Sequence, residues 1–312
     1  MLGELTATRF RRQHDLTKMS TAVDGRGKLP STVRGSNRTM LFFLTSQPLW
    51  LSGLILVGLT SVIAAFGPGL VRRSFKFETL STNNEVAGFK FATIGVLYAV
   101  LLAFAIIFVW QRYNDAETTV AQEAGAAANI YRLSRGLDDR TGAALRDSLT
   151  AYLRAAISSD WPAMERGMLA PSVPGREALD AVYAAALTYP SADPRAVALM
   201  PEILRQIDLI TQARRSRLIA AEGIVPNLIW VVLFGGATLT IVFTFFFGTK
   251  NLRAQTAMTV MLTILIFSEL LVIVEIDRPF TGGIKVEPTP LADVLVDFAP
   301  ESPAGDGAAT KR

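Results

Sequence analysis

Residues 91–110 read Phe91-Ala92-Thr93-Ile94-Gly95-Val96-Leu97-Tyr98-Ala99-Val100-Leu101-Leu102-Ala103-Phe104-Ala105-Ile106-Ile107-Phe108-Val109-Trp110, twenty positions without a charge. An α-helix of that length crosses the hydrocarbon core of a bilayer. The run continues without proline into the alanine-rich, amphipathic segment 111–137. One continuous helix is therefore expected to leave the membrane and project into solvent, with the rest of the chain built around it.

Three further apolar runs flank this rod. Residues 41–71 hold thirty-one positions without a charge. Proline suits a first helical turn and tryptophan an interface, so a first span is expected from Pro48 to about Phe66, with Gly67-Pro68-Gly69 near its far end and Arg72, Arg73 and Lys76 closing it. Asn83 or Asn84 is the expected N-cap of the second span. Residues 223–249 form a third run of twenty-seven uncharged positions, and a fourth, 254–276, is interrupted by Glu269 and ends at Glu275. With 50% hydrophobic residues and a mean hydropathy of +0.34, the chain reads as an all-α integral membrane protein with four transmembrane helices.

The segments between the spans complete the layout. Residues 1–40 carry eight basic and three acidic residues and read as a disordered basic arm, followed by helices one and two in 41–110. Residues 111–225 contain thirteen Arg, no Lys and fourteen acidic residues and read as a helical cytosolic domain. Its helices are expected over 111–137, 141–159 (stopped by Trp161-Pro162), 176–187 and 194–221, from apolar positions at three- and four-residue spacing. Residues 226–276 hold helices three and four, and 277–312 read as a Pro- and Ala-rich tail. Four spans put both termini and the inserted domain on one side. Near the span ends that side carries ten basic residues (Arg26, Lys28, Arg34, Arg38, Arg112, Arg214, Arg215, Arg217, Arg278, Lys285) against five on the other (Arg72, Arg73, Lys76, Lys250, Arg253), which makes it the cytoplasmic side of a bacterial inner membrane.

Composition excludes much chemistry. There is no cysteine and one histidine, His14, so no thiol nucleophile, disulfide framework or His/Cys metal site can be built. No nucleophile and base pair or glycine-rich phosphate loop stands out, and the arginines lie beside spans rather than among exposed aromatics. An enzyme, a cofactor and a nucleic-acid partner are not expected; the lipid bilayer is.

On a helical wheel of the second span, Gly88, Ala92, Gly95, Ala99 and Ala103 form one narrow stripe, a seam along which backbones can approach closely. The opposite face carries Lys90, Leu97, Leu101, Phe104 and Phe108. It would line a pore with a cationic outer mouth and an apolar constriction, or face lipid and neighbouring helices while Lys90 snorkels. Glu269, a carboxylate inside an apolar helix, marks an ion or proton pathway or a protonated structural hydrogen bond, and its depth keeps it from Lys90. Glu275 and Asp277 lie level with Arg112, where a boundary ion pair is expected. The run Ala124 to Ala128 suggests close packing, within a subunit or about a symmetry axis.

The segments Asn83-Asn84-Glu85-Val86-Ala87-Gly88, Thr93 to Phe104, Trp110, Glu123-Ala124 and Asp277-Arg278-Pro279-Phe280-Thr281-Gly282-Gly283 together resemble the bacterial bestrophin-like membrane protein family, over roughly Leu41 to Pro288. The resemblance implies four spans with a helical insertion after the second, and kinship with bestrophins, pentameric ion channels whose second span lines the pore and whose cytosolic helices form a vestibule. It also implies small ions and further copies of the same chain as partners. The bestrophin acidic calcium clasp has no counterpart, since Asp297, Glu301 and Asp306 are too scattered. The expected function is a homo-oligomeric ion-channel-like protein with its pore along the second span. The alternatives are a non-conducting membrane-anchored interaction or sensory protein and, with less support for want of inverted repeats, a proton-coupled transporter centred on Glu269.

Overall fold

The computed structural model describes residues 47–82, 84–167, 172–188, 193–223 and 225–298. The expected basic arm, the cap at Asn83 and the acids Glu301 and Asp306 lie outside them. The described residues form helices and connecting turns, with no strand among them. In chain order the helices are α1 (Leu49–Ser74), α2 (Phe77–Thr82), α3 (Asn84–Ser134), α4 (Asp139–Ala155), α5 (Trp161–Glu165), α6 (Val173–Leu187), α7 (Pro194–Ala220), α8 (Asn227–Phe245), α9 (Leu252–Ile276) and α10 (Thr289–Asp297). Of these, α1, α3, α8 and α9 are long and apolar enough to cross a membrane.

The 51 residues of α3 make a rod about 77 Å long at 1.5 Å per residue, more than twice the thickness of a hydrocarbon core. No proline interrupts it, so the membrane span and the stalk beyond it are one rigid element. Inside the membrane, α3 turns Tyr98, Leu102 and Val109 toward α8 and α9. The Tyr98 hydroxyl donates to the Leu233 carbonyl at 2.9 Å, and its ring lies so close to Gly236 that an added Cβ would meet it at 2.6 Å. Gly67 makes the equivalent approach between α1 and the Phe245 ring.

The first span departs from expectation. α1 runs past the expected end near Phe66 to Ser74, with Pro68 inside it and Arg72 and Arg73 in its last turn. Helix packing and the close fit at Gly67 outweigh the hydrogen bond that proline forfeits. A π turn, Leu54–Leu59, also lies within α1. Asn84 does not cap α3 with its side chain. It pairs instead with the α8–α9 loop, accepting from Gly248 N–H at 2.9 Å and donating to the Gly248 carbonyl at 2.6 Å. Arg72 donates to the Thr249 carbonyl of the same loop.

Beyond the membrane, the second half of α3 packs with α4 to α7 and α10 around a core that includes Ala116, Val120, Ala127, Leu149, Tyr152, Ile203 and Ile207. Side-chain caps start the domain helices: Asp138 accepts from Thr141 N–H, Ser172 from Gly175 N–H, and Asp193 from Arg195 N–H ahead of Pro194. Two boundaries differ from expectation. Trp161-Pro162 does not end the second domain helix, because proline sits in the first turn of α5, entered through a second π turn, Ala156–Asp160. Nor is 277–298 a tail: Phe280, Val286 and Leu291 are buried in the domain core. The Trp161 indole N–H donates to the Val286 carbonyl at 3.2 Å, and Phe298 stacks on Tyr131 with ring centroids 3.9 Å apart. Those apolar side chains need cover from water, and the domain supplies it.

Candidate functional site

The expected pore-facing residues are left open by the chain's other described helices. Leu97 and Phe104 are each 68% exposed, Phe108 and Lys90 are exposed, and Leu101 is half-buried. The small-residue stripe is open too: Ala92, Ala99 and Ala103 are exposed, and a Cβ added at Gly88 or Gly95 would meet nothing within 4 Å. Neither face is used for packing inside the subunit. The intrachain contacts fall on a third face, along Phe91, Tyr98, Leu102 and Val109, where Phe91 also stacks with Phe243. At about 100° per residue, the stripe and the large-residue face lie roughly a quarter turn to either side of this buried face. The direction straight away from the subunit's other helices passes between Val100 and Ile107, with Val96 and Phe104 beside it, all exposed.

The acids at and within the span ends separate. Glu269 is half-buried and makes no hydrogen bond or ion pair with the described residues, although Tyr98 lies within electrostatic range of it. The expected pairing of Arg112 with Glu275 and Asp277 does not form. Arg112 lies on the open side of α3, 3.7 Å from Asp115 and over the Phe108 ring. Glu275 and Asp277 are buried on the other side: Glu275 accepts from Gly283 N–H and Ser52, and Asp277 accepts from Val225 N–H at 2.7 Å. Asp277 thereby anchors the turn into α8, where Gly223 adopts a φ of +88° that a residue with a Cβ takes only with strain.

The densest chemistry lies elsewhere, at a cluster that sequence inspection passed over. Inside the extramembrane domain the Arg217 guanidinium donates to both carboxylate oxygens of Glu123, at 2.9 and 3.1 Å, and to Asp160 at 3.3 Å. Arg214 donates to both oxygens of Asp160, at 2.9 and 3.2 Å. Tyr152 donates to Glu123 at 2.5 Å, Ser172 donates to Asp160, and Arg217 lies over the Trp161 ring, 4.5 Å from its centroid. Glu123, Asp160 and Arg217 are fully buried and Arg214 nearly so, and the two positive and two negative charges cancel.

The fold aims each of these groups. Asp160 closes the π turn, whose extra residue shifts the helical register and brings the side chain inward, and Gly175 lets α6 approach, since a Cβ there would sit 2.7 Å from Asp160 Oδ1 and 2.8 Å from Arg214. Burial pushes the Asp160 carboxyl up, but hydrogen bonds from Arg214 and Ser172 and the charge of Arg217 outweigh it and hold the group below its usual range. Burial likewise works against the Arg217 charge, yet Glu123, Tyr152 and Asp160 raise its affinity for its proton above that of a free arginine. Burial, with the Glu123 charge, pushes the Tyr152 hydroxyl well above the ordinary phenol range. The sequence carried a signal for this: Glu123 falls on the apolar stripe of Ala116, Val120 and Ala127, and Arg214 and Arg217 continue that of Ile207 and Ile210. Charges at core positions announce paired burial. Among the described residues no group of three or more His, Cys, Asp or Glu is placed to hold a metal.

Four apolar helices with a helical extramembrane domain inserted between the second and third define an α-helical polytopic membrane protein. Residues 54–291 match the Bestrophin-like domain, and the chain belongs to that family. It is similar in fold to a crystal structure of a bacterial bestrophin homologue from Klebsiella pneumoniae, a single-site variant, with a TM-score of 0.61 at 15% identity over 80% of this chain and 98% of that one. A second variant of that homologue gives 0.57 at 15% identity over 80% and 98%. A structure described only as a membrane protein gives 0.60 at 13% identity over 78% and 98%. At such identities the likeness is one of fold. No curated protein matches the chain.

Proposed function

We propose that this protein is a homo-oligomeric, ion-conducting channel of the bacterial inner membrane, with its pore along α3 and its inserted domain and both termini in the cytoplasm. The observation that carries this reading is the pair of faces that α3 leaves open, one of small residues and one of large, to either side of its intrachain contacts. In a ring, each α3 would turn its buried face outward to its own subunit. Its stripe, Gly88 to Ala103, would meet the Leu101 and Phe108 flank of the next copy. That contact is head-to-tail, and it closes into a ring when the rotation between copies allows. By analogy with bestrophins the ring has five copies. The axis would then be lined by Leu97 and Phe104 with Val100 and Ile107, an apolar constriction of the kind that gates by dewetting. Lys90 would sit at the outer mouth and Asp115, Thr118 and Gln122 below it.

The charge count supports the orientation. Arg214 and Arg217 are withdrawn into the domain interior and so cannot act at the membrane surface, and ten basic residues less these two still outnumber the other side's five. Glu269, with no hydrogen bond or ion pair among the described residues, belongs beside a neighbouring copy or water in this arrangement.

The deciding experiment is flux through purified protein in liposomes under separate halide and potassium gradients, with Phe104→Ala beside the wild type. Flux is expected from the wild type and should rise in the variant as the constriction widens. A stable, correctly inserted oligomer with no flux from either protein would instead identify a membrane-anchored interaction protein.

A further inference from the structure

We propose that the buried network of Glu123, Asp160, Arg214 and Arg217 sets the rotation of α3 about its own axis and so positions the membrane face of that helix. The inference rests on the reading that α3 carries the conduction path; Glu123 and Arg217 are positioning residues for it and touch no ion. Three observations converge on this role.

The first is the nature of the α3 interface inside the domain. The side chains it buries around Glu123 are small, Ala116, Val120, Ala124, Ala126 and Ala127, with Ile130, two turns further on, the one large apolar side chain it buries fully. A surface of alanines has shallow ridges, which let a packed helix slide or turn with little change in contact. Apolar burial holds α3 in the domain, but it discriminates poorly between rotations.

The second is that the charged contacts do discriminate. Arg217 grips Glu123 through two hydrogen bonds at 2.9 and 3.1 Å, Tyr152 adds a third at 2.5 Å, and the same guanidinium is held from behind by Asp160 and by the Trp161 ring. These bonds are directional and lie where water cannot replace them. Turning α3 by one residue would carry the Glu123 carboxylate out of all three at once and strand two buried charges. The partners also come from separate elements: Tyr152 from α4, Asp160 from the π turn and Arg217 from α7. No single helix can shift to follow α3.

The third is transmission. From Glu123 back to Phe104 the helix is unbroken over nineteen residues, about 28 Å at 1.5 Å per residue. A rotation imposed at Glu123 therefore reappears at Phe104. Buried ion pairs commonly contribute less to stability than apolar replacements would, and specifying register is their best-attested use.

The chain has no cysteine, so spin labels can be placed at will. Ile107→Cys on the open membrane face and Arg154→Cys on the exposed side of α4 would report the rotation of α3 against its own domain, in labelled subunits diluted with unlabelled ones. The wild type should give one narrow distance distribution. Glu123→Gln and Arg217→Lys should at least double its width or move its centre, and Tyr152→Phe, which keeps the ring and loses only the hydroxyl, should produce a smaller change of the same kind. An unchanged distribution in Glu123→Gln and Arg217→Lys, with wild-type helicity and size-exclusion profile, overturns the proposal. Should those two fail to fold, an unchanged Tyr152→Phe distribution overturns it. Liposome flux recorded on the same proteins separates the two readings: a silent wild type removes the conduction path, while the distances still decide what sets the rotation of α3.

Discussion

In the membrane half of α3, Tyr98, Leu102 and Val109 are covered while Leu97, Phe104 and Ile107 stand open; in the extramembrane half, Val120, Ala127 and Ile130 are fully covered and the open positions are mostly polar, Gln111, Asn114, Thr118 and Gln122 among them. One helix therefore obeys two solvents. Hydrocarbon does not penalise an exposed Leu or Phe, so in the membrane half burial marks only where close approach is possible, as at Gly236 and Gly67. Water does penalise it, so the extramembrane half must cover its apolar face, and does so with α7, α4 and the returning segment 277–298. The polar groups follow the opposite logic. The membrane half of α3 buries one, the Tyr98 hydroxyl, whereas the domain interior holds four mutually neutralising charges.

This contrast can be broken most severely at Arg217. Arg217→Met should destabilise the extramembrane domain by about 3–5 kcal/mol, since Glu123 loses its ionic partner and Asp160 one of two. Denaturant melts followed by near-ultraviolet circular dichroism measure it, and a loss below about 1 kcal/mol would mean that water reaches the cluster. Next in size is a paired test within the membrane. Gly236→Ala drives a Cβ into the Tyr98 ring and should cost about 1–3 kcal/mol in a detergent melt. Gly95→Leu meets open space within the chain, so the fold should survive while, in the proposed ring, light scattering shows a weakened oligomer. Survival of both would make the stripe a lipid-facing surface.

A smaller effect is expected from pH. Asp160 is held below its usual range, so its contribution is complete above the unfolded value of about 4 and is lost as the pH falls from there through the lowered folded value. Tyr152 is held above its usual range, so its contribution is complete below about pH 10 and is lost as the pH climbs toward the raised folded value. The melting temperature of the domain should accordingly be flat between those limits and fall outside them, and Asp160→Asn should flatten the acid limb. The smallest effect belongs to the exposed pair of Glu202 and Arg205, joined at 2.7 Å. Solvent screens it, and Glu202→Ala should leave the melting temperature unchanged within error.

The helices were legible because their signals are local. Twenty uncharged positions make a span whatever surrounds them, and Ser172, Asp193 and Asn251 act as caps on residues two or three positions away. Pro68 misled because its effect depends on what packs beside it, and the segment after Asp277 misled because its apolar residues are too few to announce a helix alone. Glu123, Arg214 and Arg217 were visible as charges on apolar stripes, yet their partner Asp160 is reached only through a π turn that no periodicity announces.

The chain's sequence by itself determined that four helices cross a membrane and that the second continues into a helical domain, because length, hydropathy and capping act over a few neighbouring residues. Only the tertiary structure decided which way around α3 each side chain faces, which charges neutralise one another and where the C-terminal segment lies. Those outcomes depend on contacts between residues far apart in the chain, and a helix viewed alone has no preferred direction about its axis.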